Sequence, residues 1–318
     1  MSLNLDGYPP QALLERFKAS IPSDPSFRSW CRLKQSVYRE KMGWACGLGE
    51  RKKRQIGNYL TREDAEKGRN FLNERIFAAA RFRLVSRERG EVINRYRLFR
   101  NMLTSQTLCF NLFIPQVQDN SLATKIWRAL LPTKVKQVVT VRLEHSPARG
   151  DPAIGLGDHS AFDAYVEYVS LDGSTGKIAI ETKYTDSFSP PGSELNDRQQ
   201  DVLRGSRLYD ECGRRNLMAM PTQQLWRTHL LAESLRCKDC PHIMYAVIYA
   251  EGDQECSQLL ADYEAALNPD IDKNEVFRPC TLEQICRLIE PELTDLDSAW
   301  LASFRERYLD WSDVEFHL

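Results

Sequence analysis

Asp163, Glu181 and Lys183 are the residues of this sequence whose types and spacing could do chemistry together. Glu181 and Lys183 stand in Ile178-Ala-Ile-Glu-Thr-Lys-Tyr184. Alternate residues of a strand share a face, so both fall on one side with Ala179, while Ile178, Ile180, Thr182 and Tyr184 take the other. A carboxylate and an ammonium inside an apolar strand are costly to bury unless they pair or bind something. Phe162-Asp-Ala-Tyr-Val-Glu-Tyr168 repeats the alternation, with Asp163, Tyr165 and Glu167 on one side. Two ionised carboxylates close together repel, and a hard cation such as Mg²⁺ removes that penalty. A lysine beside them can orient or deprotonate a water and offset charge growing on a phosphorus centre. Such a set hydrolyses phosphodiesters. A solvated hairpin face with Glu181 and Lys183 as a cross-paired salt bridge would leave the same pattern.

The elements that must position these residues follow from hydrophobic period and turn chemistry. Residues 135–143, 162–170 and 177–184 read as strands, the last two joined by Leu171-Asp-Gly-Ser-Thr-Gly176, whose glycines supply the positive φ a reversal needs. That hairpin brings Asp163 near Glu181 in any reasonable register. Upstream, residues 96–113 read as one long buried helix ended by Pro115. Downstream come a polar loop over 186–198, a helix over 221–236 and an apolar strand over 243–250. The order is helix, three strands, helix, strand. A short strand at 276–277, a capping box at Thr281-Leu-Glu-Gln284 and a helix over 295–309 follow. The first 90 residues read as helices over 11–19, 25–42 and 61–84, with Arg51-Lys-Lys-Arg54 in a connection.

At 318 residues, 42% hydrophobic and 27% charged, the chain can bury one or two cores. Without a run of roughly 20 apolar residues or a signal peptide, it is expected to be soluble and cytoplasmic. The net charge of −1 conceals a polarity: residues 1–150 carry 28 basic and 13 acidic side chains, residues 151–318 carry 15 and 31. Such asymmetry fits nucleic-acid contact, and equally a salt-bridged interface between lobes. Arginines recur at 81, 83, 87, 89, 95, 97 and 100 among Phe82, Tyr96 and Phe99. This pattern suits phosphate contact with base stacking, or an amphipathic element whose aromatics face the core. The candidate nucleic-acid contacts are Arg51, Lys52, Lys53, Arg54, Arg95, Arg97 and Arg100.

Nine cysteines and no secretory signal argue for reduced thiols. Cys237-Lys-Asp-Cys240 with His242 has the spacing of a zinc knuckle, and would need Cys212, Cys256 or Cys280 to complete a tetrahedral site. Incidental thiols where a helix enters a strand explain the same residues, and are favoured. Neither GxGxxG nor GxxxxGK[ST] occurs.

This order of elements, with its hairpin bearing Asp163, Glu181 and Lys183, resembles the core of the PD-(D/E)XK nuclease superfamily over roughly residues 95–250. The segments 101–113, 162–164, 180–184 (Ile-Glu-Thr-Lys-Tyr) and 223–231 are similar to a bacterial branch of it, and this similarity extends over most of the chain. The resemblance implies an α/β fold with a restriction-endonuclease-like αβββαβ core, its mixed central sheet flanked by helices. The expected division is a basic, mainly helical region at 1–92, the nuclease core at 93–252 and a C-terminal helical extension packed on it at 253–318.

The same resemblance implies metal-dependent DNA cleavage, with Asp163, Glu181 and the Thr182 carbonyl holding Mg²⁺, for which Mn²⁺ substitutes, and Lys183 acting on the attacking water. DNA is the expected partner, with RNA left open. A homodimer and a role in restriction or phage defence are expectations of the same kind. Gln223, Gln224 and His229 lie on the helix that flanks the active site in this fold, where each could position water or phosphate; for His229 a hydrogen-bonded structural role is favoured. Ser105 and Gln106 stand where some branches place a metal-binding Glu, and Phe162 stands where the motif has Pro. Glu144 and His145, ending the first strand, are further candidates. A second reading keeps the fold and makes the chain a nucleic-acid-binding effector scaffold with absent or partner-dependent cleavage. A third is a zinc or iron–sulfur module on Cys237 and Cys240.

Overall fold

The computed structural model describes residues 5–50, 54–87, 93–147, 150–151, 153–188, 194–221 and 223–318. Helices α1 (Gln11–Arg16) and α2 (Ser26–Lys41) each begin directly after a proline, Pro10 and Pro25. Strands β1 (Cys46–Leu48) and β2 (Gln55–Leu60) then pair antiparallel, within the connection expected between the helices over 25–42 and 61–84. The expected helix over 61–84 is two, α3 (Arg62–Glu66) and α4 (Glu74–Val85). Gly68, at φ +76°, lies between them, where a Cβ would come within 2.5 Å of the Phe77 ring.

The expected helix over 96–113 is likewise two, α5 (Arg95–Arg100) and α6 (Ser105–Gln118). Asn101 turns aside to accept a 2.7 Å hydrogen bond from Asn58, and the Thr104 hydroxyl accepts the Thr107 amide, capping a new helix. α6 runs through Pro115 rather than ending there. Helix α7 (Asn120–Leu130), capped by Asp119, has no counterpart among the expected elements.

Strands β3 (Val135–His145), β4 (Phe162–Ser170) and β5 (Thr175–Lys183) follow. Three helices, α8 (Asp197–Gly205), α9 (Glu211–Ala219) and α10 (Gln224–Glu233), lead to β6 (His242–Tyr249). The described chain closes with α11 (Gln254–Ala265), β7 (Phe277–Thr281), α12 (Leu282–Ile289), α13 (Asp295–Tyr308) and α14 (Ser312–Glu315). The Thr281–Gln284 capping box forms as its spacing predicts, each side chain accepting the other's amide. No described helix is long and apolar enough to cross a membrane.

The described residues form two compact units, one from 1–115, 184–186 and 290–318, the other from 116–183 and 187–289. The first unit is mostly helical and is centred on Asn70. Its amide donates to the Leu98 carbonyl at 2.7 Å and to the Thr107 hydroxyl at 3.1 Å, while Arg307 on α13 donates to its carbonyl at 2.7 Å and to its side-chain oxygen at 2.5 Å. Both residues are almost wholly buried, so these bonds satisfy groups that water cannot reach. Residues 184–186 lie along the start of α6: the Tyr184 amide donates to the Ser105 hydroxyl at 3.0 Å, and the Ser105 amide to Asp186 at 2.9 Å.

The second unit is built on one five-stranded sheet in the order β3-β4-β5-β6-β7, antiparallel across the first three strands and parallel across the rest. Alternation along β6 separates its faces. Ile243, Tyr245, Val247 and Tyr249 pack with α10 residues Leu225, Trp226, Leu230 and Leu231. Met244, Ala246 and Ile248 face Trp127 and Leu130 of α7 and Ile285 of α12. Helices on both faces of a mixed sheet account for the near-continuous apolar run of β6. At the far end of the β4–β5 hairpin Tyr168 pairs with Gly176, where a Cβ would sit 2.1 Å from the phenol ring.

Candidate active site

The β4–β5 register pairs Ala164 with Ile180, and one step further places Asp163 opposite Glu181. Side chains opposite each other in an antiparallel pair share a face. The ladder ends there, and the Asp163 carboxylate takes over as acceptor: its Oδ2 receives the Thr182 amide at 2.7 Å and the Thr182 hydroxyl at 2.8 Å. The carboxylate thereby holds β5 straight through the motif. Glu181 and Lys183, 4% and 5% exposed, form an ion pair at 2.9 Å. Gln224 closes the cluster from the first turn of α10, its Nε2 donating to Glu181 Oε1 at 2.7 Å and its Oε1 accepting from Lys183 Nζ at 3.3 Å. Over the ammonium lies the Phe188 ring, 4.4 Å from Nζ to the centroid.

Tyr245 of β6 lies beneath these groups. Burial, then the negative charges of Glu181 and Asp163, push its hydroxyl well above the usual phenol range, so it stays neutral. Neither Tyr245 nor Phe188 was indicated by the sequence pattern. Tyr245 sits in an ordinary apolar strand, and Phe188 lies in a polar loop with no period to place it.

The remaining motif-helix residues separate. Gln223 is the residue before α10, its carbonyl accepting the Arg227 amide at 3.0 Å. His229 is fully buried, its Nδ1 2.7 Å from the Tyr263 hydroxyl, which lies 2.5 Å from that of Tyr209. Tyr245, Tyr263 and Phe277 surround its ring. Burial, aided by the positive charge of Arg236, holds its pKa at about 3. Arg227 reaches from α10 to Asp158 at 2.7 Å, tying the approach to β4 onto the helix. Burial alone would raise the Asp158 pKa, and the Ser160 amide with Arg227 holds it below its ordinary value.

At the end of β3, Leu143 pairs with Ala164 and His145 with Phe162, so Glu144 stands level with Asp163. Glu144 has φ +49°, a left-handed backbone uncommon for a non-glycine residue. The His145 and Tyr165 rings lie 4.6 Å apart. Tyr165 donates to Glu167 at 3.2 Å.

Ser105 and Gln106 belong to the first unit, as does Tyr184, whose hydroxyl accepts from Gln35 at 3.0 Å. In that unit Arg97 pairs with Asp186 at 3.0 Å, Arg54 donates to the Ser20 carbonyl at 3.1 Å, and Arg100 donates to the Leu60 carbonyl at 3.0 Å. Arg95 is exposed. Arg51, Lys52 and Lys53 lie outside the described residues. Cys237 and Cys240 pair through their backbones, and His242 lies 3.2 Å from Asp172. Among the described residues no group of three or more His, Cys, Asp and Glu gathers as a metal cage.

Two carboxylates level with each other on neighbouring strands form an all-oxygen donor pair. This fits a hard divalent cation that keeps waters or takes substrate oxygens at its other positions, and does not fit a closed zinc site. Comparison with curated proteins gives no match, nor does comparison with solved structures. The family model described as the PD-(D/E)XK nuclease superfamily matches residues 22–310, nearly the whole chain. That match takes in both the sheet and the facing carboxylates with their lysine, and by it the chain belongs to the PD-(D/E)XK nuclease superfamily.

Proposed function

We propose that the protein is a Mg²⁺-dependent endonuclease that hydrolyses DNA phosphodiester bonds. The observation that carries this reading is the cluster in which Gln224 bridges a buried Glu181–Lys183 pair, with Asp163 facing Glu181 across the hairpin. Asp163, Glu181 and the Thr182 carbonyl are the groups that would hold Mg²⁺ or Mn²⁺, and the bound ion would supply Lewis acidity and a more acidic water. The chain's own contribution is positional. Glu181 and Gln224 fix the Lys183 ammonium, and Phe188 covers it on one side, so that with bulk water excluded its charge would act more strongly on a phosphate oxygen. In hydrolysis the water oxygen forms a bond to phosphorus, the bond to the leaving sugar oxygen breaks, and a proton passes to that oxygen. Lys183 is placed to orient the water and to offset charge on the phosphorus oxygens. Incubation with plasmid, linear and single-stranded DNA in Mg²⁺, Mn²⁺ or EDTA, comparing the parent with Lys183→Ala, tests this. Cleavage in metal that is lost in EDTA and in the variant is the expected result, and equal cleavage by both proteins would overturn it.

One observation favours a second reading, a nucleic-acid-binding scaffold without cleavage of its own. The Lys183 ammonium is engaged by Glu181, Gln224 and Phe188 together, as in a purely structural ion pair. Calorimetric titration separates the two: a scaffold binds DNA with steep salt dependence yet takes up no Mg²⁺ or Mn²⁺ at Asp163 and Glu181.

A further inference from the structure

The first unit contains a cavity of about 770 Å³ between α3, α4 and α5, outside the cluster described above. Its volume lies within the range of about 300–1,000 Å³ usual for small-molecule sites. Among the described residues, Arg62, Arg81, Arg95 and Arg100 line it together with one carboxylate, Glu66, which is paired with Arg62 at 2.7 Å. Two of these arginines lie over aromatic rings of the same wall. The Arg81 guanidinium is 5.6 Å from the Phe77 centroid and that of Arg100 is 4.5 Å from Tyr96. Phe77 and Phe99 are otherwise buried, packed with Phe71 in an aromatic cluster that keeps the floor rigid. Leu84 and Val85 form an apolar side, and Val85 is 87% exposed.

We propose that this cavity takes a nucleoside phosphate unit. Arginines supply bidentate donors to phosphate, and a guanidinium laid over a ring presents its outer face as a flat, cationic platform. A nucleobase stacks on such a platform and against apolar side chains, and stacking of this kind requires a base that is not paired in a duplex. A uniformly polar basic surface would bind duplex backbone equally well. The apolar wall and ring-backed arginines are what select an unpaired nucleotide. A free nucleotide and an unpaired nucleotide within a strand share this chemistry. The inference uses the nuclease reading only in expecting nucleic acid as the source, and binding here does not depend on cleavage.

The test uses full-length Lys183→Ala protein in EDTA, so that loss of cleavage and loss of this binding are separate results. Fluorescence anisotropy with a labelled 12-nucleotide single strand and the matching duplex gives the two affinities, and a strand containing 2-aminopurine reports stacking by quenching. The single strand is expected to bind at least about tenfold more tightly than the duplex. Arg81→Glu and Arg95→Glu, both on exposed side chains, are each expected to weaken it about tenfold and to abolish the quenching. Arg75→Glu makes the same charge change on an exposed residue of α4 that does not line the cavity, and is expected to alter affinity less than about threefold. Competition by thymidine monophosphate identifies a single unit as sufficient, and competition only by strands identifies the strand as the source; both uphold the proposal. Equal affinity for duplex, absence of quenching, or equal loss in Arg75→Glu and Arg81→Glu would overturn it.

Discussion

The Asp163 carboxylate accepts both the amide and the hydroxyl of Thr182 at its Oδ2 atom, at 2.7 and 2.8 Å. The residue therefore has two separable duties, negative charge and acceptor geometry. Asp163→Asn keeps an oxygen for Thr182 and loses the charge, whereas Asp163→Ala loses both. Both variants are expected to lose at least about a hundredfold in cleavage. Urea denaturation should separate them: the alanine variant loses about 2 kcal/mol by orphaning two donors, and the asparagine variant under 1 kcal/mol. Equal destabilisation of the two would show that the Thr182 bonds carry no weight.

Gln224 touches both members of the Glu181–Lys183 pair without being a reacting group itself. Gln224→Ala is expected to reduce kcat about 10- to 100-fold and to raise the metal concentration required, as loss of a group that orients a ligand does. Steady-state kinetics across a Mg²⁺ series is the measurement. A change in KM for DNA alone, with kcat intact, would assign Gln224 to substrate binding instead.

His229 is neutral in its buried site, with a pKa of about 3 against 6.5 in an unfolded chain. The unfolded state therefore binds the extra proton between these values, so stability falls as pH drops below 6.5 and is fully present above it. Between pH 7 and pH 5 this amounts to about 2 kcal/mol. His229→Phe should flatten that slope while lowering stability at pH 7, because the Tyr263 hydroxyl loses one of its two partners among the described residues and keeps Tyr209. Urea midpoints at the two pH values for both proteins check it.

Arg307 donates to Asn70 through two nitrogens in a site only 1% exposed. Arg307→Met is expected to destabilise the first unit by about 3 kcal/mol, because two buried oxygens of Asn70 lose charge-assisted donors. Hydrogen exchange should show the loss in α4 to α6 and α13, with protection in β4 to β6 less changed.

The chemistry-bearing hairpin was legible because it is local. Asp172-Gly173 forces the reversal, alternation sets the faces, and Asp163 can then meet only the neighbourhood of Glu181. The order helix, three strands, helix, strand was legible for the same reason, since it is written in periods of two and of about 3.6, and the restriction-endonuclease-like arrangement came from the family resemblance of that order with its motif. What escaped depends on partners far along the chain. The break between α5 and α6 rests on Asn58 meeting Asn101, forty-three positions apart, and no spacing within 96–113 announces it. Strands β1 and β2 are short and flank a basic run, so their pattern is weak. α7 did carry a signal, an Asp119 cap before Leu122, Ala123, Ile126, Trp127 and Leu130. The bridging geometry of Gln224 was not legible beyond its placement on the flanking helix, because rotamers follow from packing.

Gly176 lies under the Tyr168 ring, five residues and about 17 Å along the strand from Glu181. A missing methyl group there serves as the zero mark of a ruler. Any other residue would push the phenol aside or slide the two strands by a notch, and a slide of one notch would turn Glu181 to the opposite face from Asp163. The alignment of the two acids is thus set at the end of the hairpin where no chemistry occurs. A variant search confined to charged residues would overlook the position on which their meeting depends.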